Sequence, residues 1–424
     1  MKGIKLLILL SGIRLLASGQ TPNRDMLDVK IGQMILIGFP KAEVDPMVLE
    51  EIKTGKVGSI ILFEKNVPKG SASFNALKKM LWTYQKAAPI PLLICVDQEG
   101  GKVNRLKDKY GFPKSVTAQD MGRAKTLDSV RFYAESIASN LAGLGFNVNF
   151  APDVDLGVNK ENTVVYKNGR TFSADPDSVV LLATEYIKPH RKYGVITTLK
   201  HFPGHGSSMA DTHFGVADVT NTWTEKELIP FQKLIMAGEA DAIMSAHIVN
   251  MKLDPKGYPG TLSYRMIDSL LRKQLHFNGV VFSDDMQMQA ISKQYGLEET
   301  IKLAINAGID ILCFSNNIQG TEDRTVDKVH AIIRSLVESG QIKQERIDES
   351  FERIMKLKSK LGYSQQEALL SELNATRMEL QKLQESAGVN KKEATEVKEQ
   401  KADEKPAEEQ TDAGQTSKKK KKKK

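Results

Sequence analysis

The chain has 424 residues, 41% hydrophobic and 26% charged, a composition that fits a soluble globular protein and excludes a collagen-like or wholly disordered one. Its formal charge of +8 misleads, because the seven lysines at 418–424 supply almost all of it; the body is close to neutral, and nucleic-acid binding is not expected. Two cysteines exclude a disulfide framework, and no stretch is long and apolar enough to predict a transmembrane segment.

At the N-terminus, Met1-Lys2-Gly3-Ile4-Lys5 is a short basic region, an apolar run begins at Leu6, and Ala17-Ser18-Gly19 supplies small residues near a cleavage point. Residues 1–20 therefore read as a signal peptide, interrupted by Arg14, and predict export to the periplasm or medium. An amphipathic helix on a cytoplasmic protein is the alternative. No cysteine near the cleavage region suggests a lipid anchor.

From Asp28 onward short apolar runs alternate with helical patterns. Strands are predicted at 34–39, 57–63, 92–96, 148–151, 195–199, 241–246, 279–283 and 311–314. Helices are predicted at 45–53, 74–87, 129–144, 175–193, 224–237, 264–274 and 297–307, and two more at 326–338 and 344–361. Asp175-Pro176 supplies a cap and a first-turn proline, Thr224 with Glu227 reads as a capping box, and Gly308 ends a helix. Eight strands alternating with helices imply right-handed crossovers and a parallel sheet. The predicted fold is α/β, a (β/α)8 TIM-type barrel forming a single catalytic domain over residues 24–362. A doubly wound open sheet is the alternative, weakened by the lack of G-x-G-x-x-G after the first strand.

Residues 363–386 carry Leu369, Leu373, Leu380 and Leu383 and read as a helical extension, with too few heptads for a coiled coil. Residues 387–424 hold almost no large apolar side chain and predict a disordered, Lys/Glu-rich tail. Its lysine run is a solvated tail first and a contact for anionic surfaces second.

Ionisable residues gather where predicted strands end. Asp97 and Glu99 follow the third strand, Asp153 and Asp155 the fourth, Lys200 and His201 the fifth, His247 the sixth, and Asp284 and Asp285 the seventh. In a parallel barrel these ends converge on one mouth, although any one acid there also reads as a helix cap. Asp284, just beyond a buried run, is placed to attack a carbon with oxocarbenium character. Asp211 and His213 share a glycine-flanked loop, where a carboxylate orients an imidazole for general acid and base work. His201, His205, Asp211 and His213 match no metal-ligand spacing, so neither metal nor cofactor is predicted.

These stretches, in this order, resemble the signature segments of family 3 glycoside hydrolases. The run Lys200-His201-Phe202-Pro203-Gly204-His205-Gly206, followed after four residues by Asp211-Thr212-His213, is similar to the β-N-acetylglucosaminidase branch, the bacterial β-hexosaminidases. Asp97-Gln98-Glu99-Gly100-Gly101, Arg170-Thr171-Phe172, Ser245-Ala246-His247-Ile248 and Ser283-Asp284-Asp285-Met286 resemble further family segments, and the likeness spans about Asp28 to Gly362. It implies a retaining double displacement with Asp284 as nucleophile and His213, paired with Asp211, as general acid and base. It also implies that Asp97, Arg105, Arg170, Lys200 and His201 bind the sugar. The implied substrate is a carbohydrate, the terminal N-acetylglucosamine of β-linked glycans from peptidoglycan or chitin. A β-glucosidase, an N-acetylglucosaminide phosphorylase and a non-catalytic sugar binder are the alternatives. Lys102 stands where the family commonly has Arg, and Thr171 and Thr212 where it has Ser. The chain lacks room for the sandwich domain of many family 3 β-glucosidases, so the acid is expected on the barrel loop.

Overall fold

The computed structural model describes residues 25–361 except 71, 125, 210–214, 216, 289–290, 292–293 and 318–324. The predicted signal peptide, helical extension and tail, and Asp211, Thr212 and His213, lie outside the described residues.

Eight strands close a parallel barrel in the spatial order β1-β10-β9-β7-β5-β4-β3-β2. They are β1 (Ile35–Gly38), β2 (Ser59–Leu62), β3 (Leu93–Val96), β4 (Val148–Asn149), β5 (Ile196–Phe202), β7 (Ala242–Ser245), β9 (Val280–Asp285) and β10 (Ile311–Phe314). Helices cover the outside: α1 (Met26–Gln33), α2 (Pro46–Lys53), α3 (Ser73–Ala87), α4 (Ala118–Arg123), α5 (Leu127–Leu144), α6 (Pro176–Lys192), α7 (Ile229–Met236), α8 (Leu297–Ala307), α9 (Val326–Glu338) and α10 (Gln344–Lys358). A π-type helix, Arg265–Gln274, lies between β7 and β9. All eight expected strands are present, so the closed barrel stands and the open sheet falls. The sequence reading missed α1, α4 and a two-stranded parallel sheet of β6 (Ala217–Asp218) and β8 (Ile248–Val249).

The barrel strands are apolar runs because both faces are covered, by helices outside and packed side chains within. Phe150 and Phe282 meet edge to face inside the barrel at 5.2 Å between ring centroids, each burial contributing about 2 kcal/mol or more. Local signals set the helix starts: Asp45 accepts from Met47 and Val48 N–H ahead of α2, and Asp175 accepts from Ser178 N–H ahead of α6, each followed by a proline.

Strand β4 is only two residues long, and asparagine side chains take over where its backbone pairing stops. Asn147 Oδ1 accepts from Ile94 N–H at 2.7 Å and its Nδ2 donates to Leu92 O at 2.9 Å. Asn149 pairs in the same way with the backbone of Gln98.

The expected capping box of Thr224 and Glu227 does not form. The segment opens as a 3₁₀ turn, Glu225–Leu228, with no side-chain cap bond. Glu227 is buried and turned toward the β5 loop, where its Oε2 accepts from Gly206 N–H at 2.9 Å. A loop with unpaired buried N–H groups competes for that carboxyl more strongly than a helix end open to water.

The barrel closes where the two ends of the described chain meet. Lys30 of α1 pairs with Asp348 of α10 at 2.7 Å. Lys358, buried, donates to Gln33 Oε1 at 2.6 Å and Gly58 O at 2.9 Å. With no carboxylate among those partners, burial pushes its amine down to about 7.

Candidate active site

Asp97, Arg105, Arg170, Lys200, His201 and Asp284 all line one cavity of about 350 Å³ at the C-terminal ends of the strands. Each arrives by a separate route. Asp97 stands one residue beyond β3, and Lys200 and His201 lie at the end of β5. Neighbouring strand residues ordinarily face opposite ways, yet Lys200 and His201 both reach the cavity. Arg105 sits on a turn built by Gln98, whose Oε1 accepts from Arg105 N–H at 3.0 Å and Leu106 N–H at 3.1 Å.

The charged groups form a continuous lattice. Lys200 Nζ is 2.9 Å from Asp97 Oδ1 and 2.7 Å from Glu99 Oε1. Arg105 reaches Asp97 Oδ2 at 3.2 Å. Arg170 forks onto Glu99, Nε to Oε2 at 2.9 Å and Nη2 to Oε1 at 2.8 Å, the bidentate geometry that makes such pairs strong. Burial pushes the Asp97 carboxyl up, but Lys200 and Arg105 outweigh it and hold the group well below the usual carboxylate range. Glu99 is held at about 2, with burial overcome by Arg170 and Lys200. Burial lowers the Lys200 amine, and Asp97 and Glu99 more than restore it. All three therefore stay charged at neutral pH.

His201 is neutral, and its tautomer follows from its neighbours. Arg170 Nη2 lies 3.1 Å from His201 Nε2, and a guanidinium only donates. The imidazole proton is thus on Nδ1, 2.7 Å from Asp155 Oδ2. Burial, with Arg170 alongside, pushes the ring down to about 4. Asp155 Oδ1 also accepts from His205 N–H at 2.8 Å. His205 lines the cavity edge, and burial lowers its ring to about 4 as well.

Asp284 and its neighbour Asp285 divide in role. Asp284, the penultimate residue of β9, lines the cavity, its Oδ1 accepting from Asp285 N–H at 2.8 Å. The Asp285 carboxyl is engaged by Ser315 Oγ and N–H and by Gln287 N–H, and burial raises it. His247, expected at the mouth, stands fully buried behind this strand end. Its Nε2 is 2.9 Å from Asp285 O, so it donates there, and its Nδ1 faces Thr261 Oγ1 at 2.8 Å. Asp153 and Asp155, also expected at the mouth, are buried and do not line the cavity.

Glu99 was expected at the mouth but not among the sugar-binding residues. It lies in the quoted Asp97-Gln98-Glu99-Gly100-Gly101 run, but nothing local announces a partner 71 positions away in Arg170. Among the described residues, one grouping brings metal-type donors together: Asp153, Asp155 and His201, with atoms within 4.8 Å of one another. His201 Nδ1 already donates to Asp155, and the Arg170 guanidinium lies 3.3 Å from Asp153, placing a fixed positive charge where a cation would sit.

A parallel barrel whose mouth sets fixed cation–carboxylate pairs and a strand-end aspartate around one polar cavity is a barrel enzyme equipped to hold a hydroxyl-rich substrate, and the comparisons give that class a family. Residues 26–357 match the model of the glycosyl hydrolase family 3 N terminal domain. The chain belongs to this family and is a glycosidase. It is 34% identical over 289 residues to a beta-hexosaminidase of Tolumonas auensis, covering 68% of this chain and 84% of that protein. A family 3 beta-N-acetylglucosaminidase structure from a Paenibacillus species superposes with a TM-score of 0.73 at 34% identity, over 79% of this chain and 62% of that one. A beta-N-acetylhexosaminidase from Beutenbergia cavernae gives 0.71 at 26%, over 78% of this chain and 98% of that one.

Proposed function

We propose that this protein is a retaining β-N-acetylhexosaminidase that removes terminal N-acetylglucosamine from β-linked glycans such as peptidoglycan or chitin fragments. The observation that carries the reading is Asp284 at the end of β9 facing the same cavity as the Asp97–Lys200–Glu99–Arg170 lattice. The names of the similar proteins point to the same sugar.

In this mechanism the Asp284 carboxylate attacks the anomeric carbon as the bond to the aglycone oxygen breaks. His213 gives that oxygen a proton, and Asp211 accepts a hydrogen bond from the other ring nitrogen. A water then attacks the glycosyl–Asp284 ester, His213 takes its proton, and the sugar leaves with the β configuration restored. Asp97, Arg105, Arg170 and Lys200 hold the sugar hydroxyls through charge-assisted hydrogen bonds, and the neutral His201 lines the sugar site beside them.

Turnover of aryl N-acetyl-β-glucosaminide and aryl β-glucoside by the wild type, Asp284→Ala and His213→Ala tests the proposal. The wild type is expected to prefer the N-acetylglucosaminide, and Asp284→Ala to lose about 10³-fold or more. Near-normal turnover by Asp284→Ala would sink the assignment. Adding inorganic phosphate separates hydrolysis from phosphorolysis through the yield of glycosyl phosphate, and exhaustive chelation is expected to leave activity unchanged. Export is part of the proposal; an N-terminus that still begins at Met1 in protein recovered from cell fractions would refute cleavage.

A further inference from the structure

The end of β9, which carries Asp284, is held by side chains on both flanks. On the β7 side, backbone pairing stops at Met244 and Phe282. Three residues farther along each strand, His247 Nε2 donates to Asp285 O at 2.9 Å. The ring is itself fixed. Its Nδ1 meets Thr261 Oγ1 at 2.8 Å, and Thr261 Oγ1 meets Ser245 Oγ at 2.7 Å. Thr261 N–H donates to Ala246 O at 3.1 Å, and a Cβ on Gly260 would lie 2.7 Å from that same oxygen. The segment bearing Thr261 therefore lies close against the end of β7. Ser245, His247 and Thr261 are all fully buried.

On the β10 side the ladder is irregular between Ile311 and Cys313. Ser283 Oγ takes the Cys313 N–H at 2.9 Å. The Asp285 carboxyl accepts from Ser315 Oγ and from Ser315 N–H at 3.2 Å. Asp285 is thus the joint of this strand end: its C=O goes to His247, its carboxyl to Ser315, and its N–H to Asp284 Oδ1 at 2.8 Å. The N–H and the C=O flank a single Cα, so any shift at that carbonyl moves the donor that rests on the Asp284 carboxylate.

We propose that His247 is a positioning residue for the nucleophile: by holding the Asp285 carbonyl it fixes residue 285, whose N–H orients the Asp284 carboxylate for attack on the anomeric carbon. His247 does not line the cavity and acts through Asp285 alone. The proposal rests on the reading of Asp284 as nucleophile. A misplacement of about 1 Å in an attacking group can cost about 100-fold in rate, so a remote hydrogen bond that sets this direction has a measurable effect.

The test uses an N-acetylglucosaminyl fluoride with a second fluorine at C5, on the full chain with His247→Leu, His247→Gln and Thr261→Val. The Asp284 carboxylate attacks the anomeric carbon and fluoride departs with the bonding electron pair. The C5 fluorine slows hydrolysis of the resulting ester, which accumulates and is located by peptide mass spectrometry. Fluoride leaves without a proton from the enzyme, so the labelling rate reads the nucleophile apart from the general acid. Competitive inhibition by free N-acetylglucosamine reads binding separately. His247→Leu is expected to slow labelling about 10- to 100-fold and to leave the inhibition constant within about threefold. His247→Gln, which offers an amide N–H to the same carbonyl, is expected to recover most of the rate. Unchanged labelling in folded His247→Leu would overturn the proposal. So would an equal loss of labelling and binding, or His247→Gln labelling as slowly as His247→Leu. If His247→Leu does not fold, Thr261→Val decides, because it removes the hydroxyl that fixes the ring: slower labelling at unchanged binding supports the proposal, and unchanged labelling overturns it. A wild type labelled elsewhere than Asp284, or not at all, overturns the reading of Asp284 and this proposal with it. An Asp284 adduct that forms equally fast in the variants overturns this proposal alone.

Discussion

Glu99 shows how much a single side chain organises at the cavity. It is 5% exposed and faces two cations, the largely buried Arg170 guanidinium and the buried Lys200 ammonium. Removing one partner of a buried ion pair typically costs about 3–5 kcal/mol, because the remaining charge is left without compensation. Glu99→Gln is therefore expected to lower the unfolding free energy by a large part of that amount. It is also expected to raise KM for the aryl glycoside more than it lowers kcat, since Lys200 and Arg170 lose their common anchor. Denaturant unfolding and steady-state kinetics on the same preparation check both. At this scale the sequence was informative at several strand ends: Asp97, Lys200, His201 and Asp284 all reach the cavity as expected, whereas Asp153 and Asp155 do not line it. It misled for His247, because a side chain at a strand end can turn to the mouth or, as here, back to the neighbouring strand. Glu99 stayed hidden because its importance lies in contacts with residues 71 and 101 positions away, Arg170 and Lys200.

Among the elements, residues 203–208 after β5 are held by hydrogen bonds from several side chains. Gly204 adopts φ +119° and approaches the first turn of the Glu225–Leu228 segment. An alanine there meets two penalties, a backbone conformation that disfavours a Cβ and a clash with Glu227. Gly204→Ala is expected to destabilise by about 1–3 kcal/mol and to reduce turnover, with thermal unfolding and kcat as the measurements. Helix limits were legible because caps are local: Asp45, Asp175 and Gly308 stand where the helices begin and end. The capping box of Thr224 and Glu227 was not, since the rule assumes that a helix terminus is the nearest set of unpaired amides. In this fold Gly206 and Ser207 are nearer. The sheet of β6 and β8 escaped notice because each strand is two residues long and stabilised by a small separate core of Ala217, Val219, Trp223, Ala246 and Ile248.

For the molecule as a whole, the alternation of strands and helices was enough to anticipate a closed barrel, while the devices that fasten the closure were not visible. Lys358 is one of them: nothing in the pattern of α10 says that this lysine turns inward to Gln33 and Gly58. Its consequence for stability can be signed. The amine titrates at about 7 in the folded chain against an ordinary 10.5, so between those values the unfolded chain binds the proton and the folded chain does not. Stability from this group therefore rises as pH rises from about 7 to 10.5 and is lost as pH falls through the same window, levelling off below 7. The full span corresponds to about 5 kcal/mol. Lys358→Met abolishes that slope while taking the lysine donor from Gln33 Oε1 at every pH, a constant cost of about 1–3 kcal/mol, whereas Gly58 O keeps its bond from Leu93 N–H. Unfolding free energies of the wild type and Lys358→Met across pH 7 to 10.5 are expected to diverge steadily in favour of the wild type as pH rises.

The lattice of Asp97, Glu99, Arg105, Arg170 and Lys200 has a bearing on which sugars the enzyme refuses. Its charges are matched to one another by the protein's own side chains, so, on the proposal that this lattice holds the sugar, a substrate completes an arrangement the fold already sets. A deoxy analogue that slips into the same space leaves a charged group facing a gap that neither the analogue nor excluded water fills. Sites built this way reject a missing hydroxyl far more sharply than an apolar pocket rejects a missing methyl group. On the proposed function, the selectivity of this glycosidase would lie in the absence of slack between its own side chains.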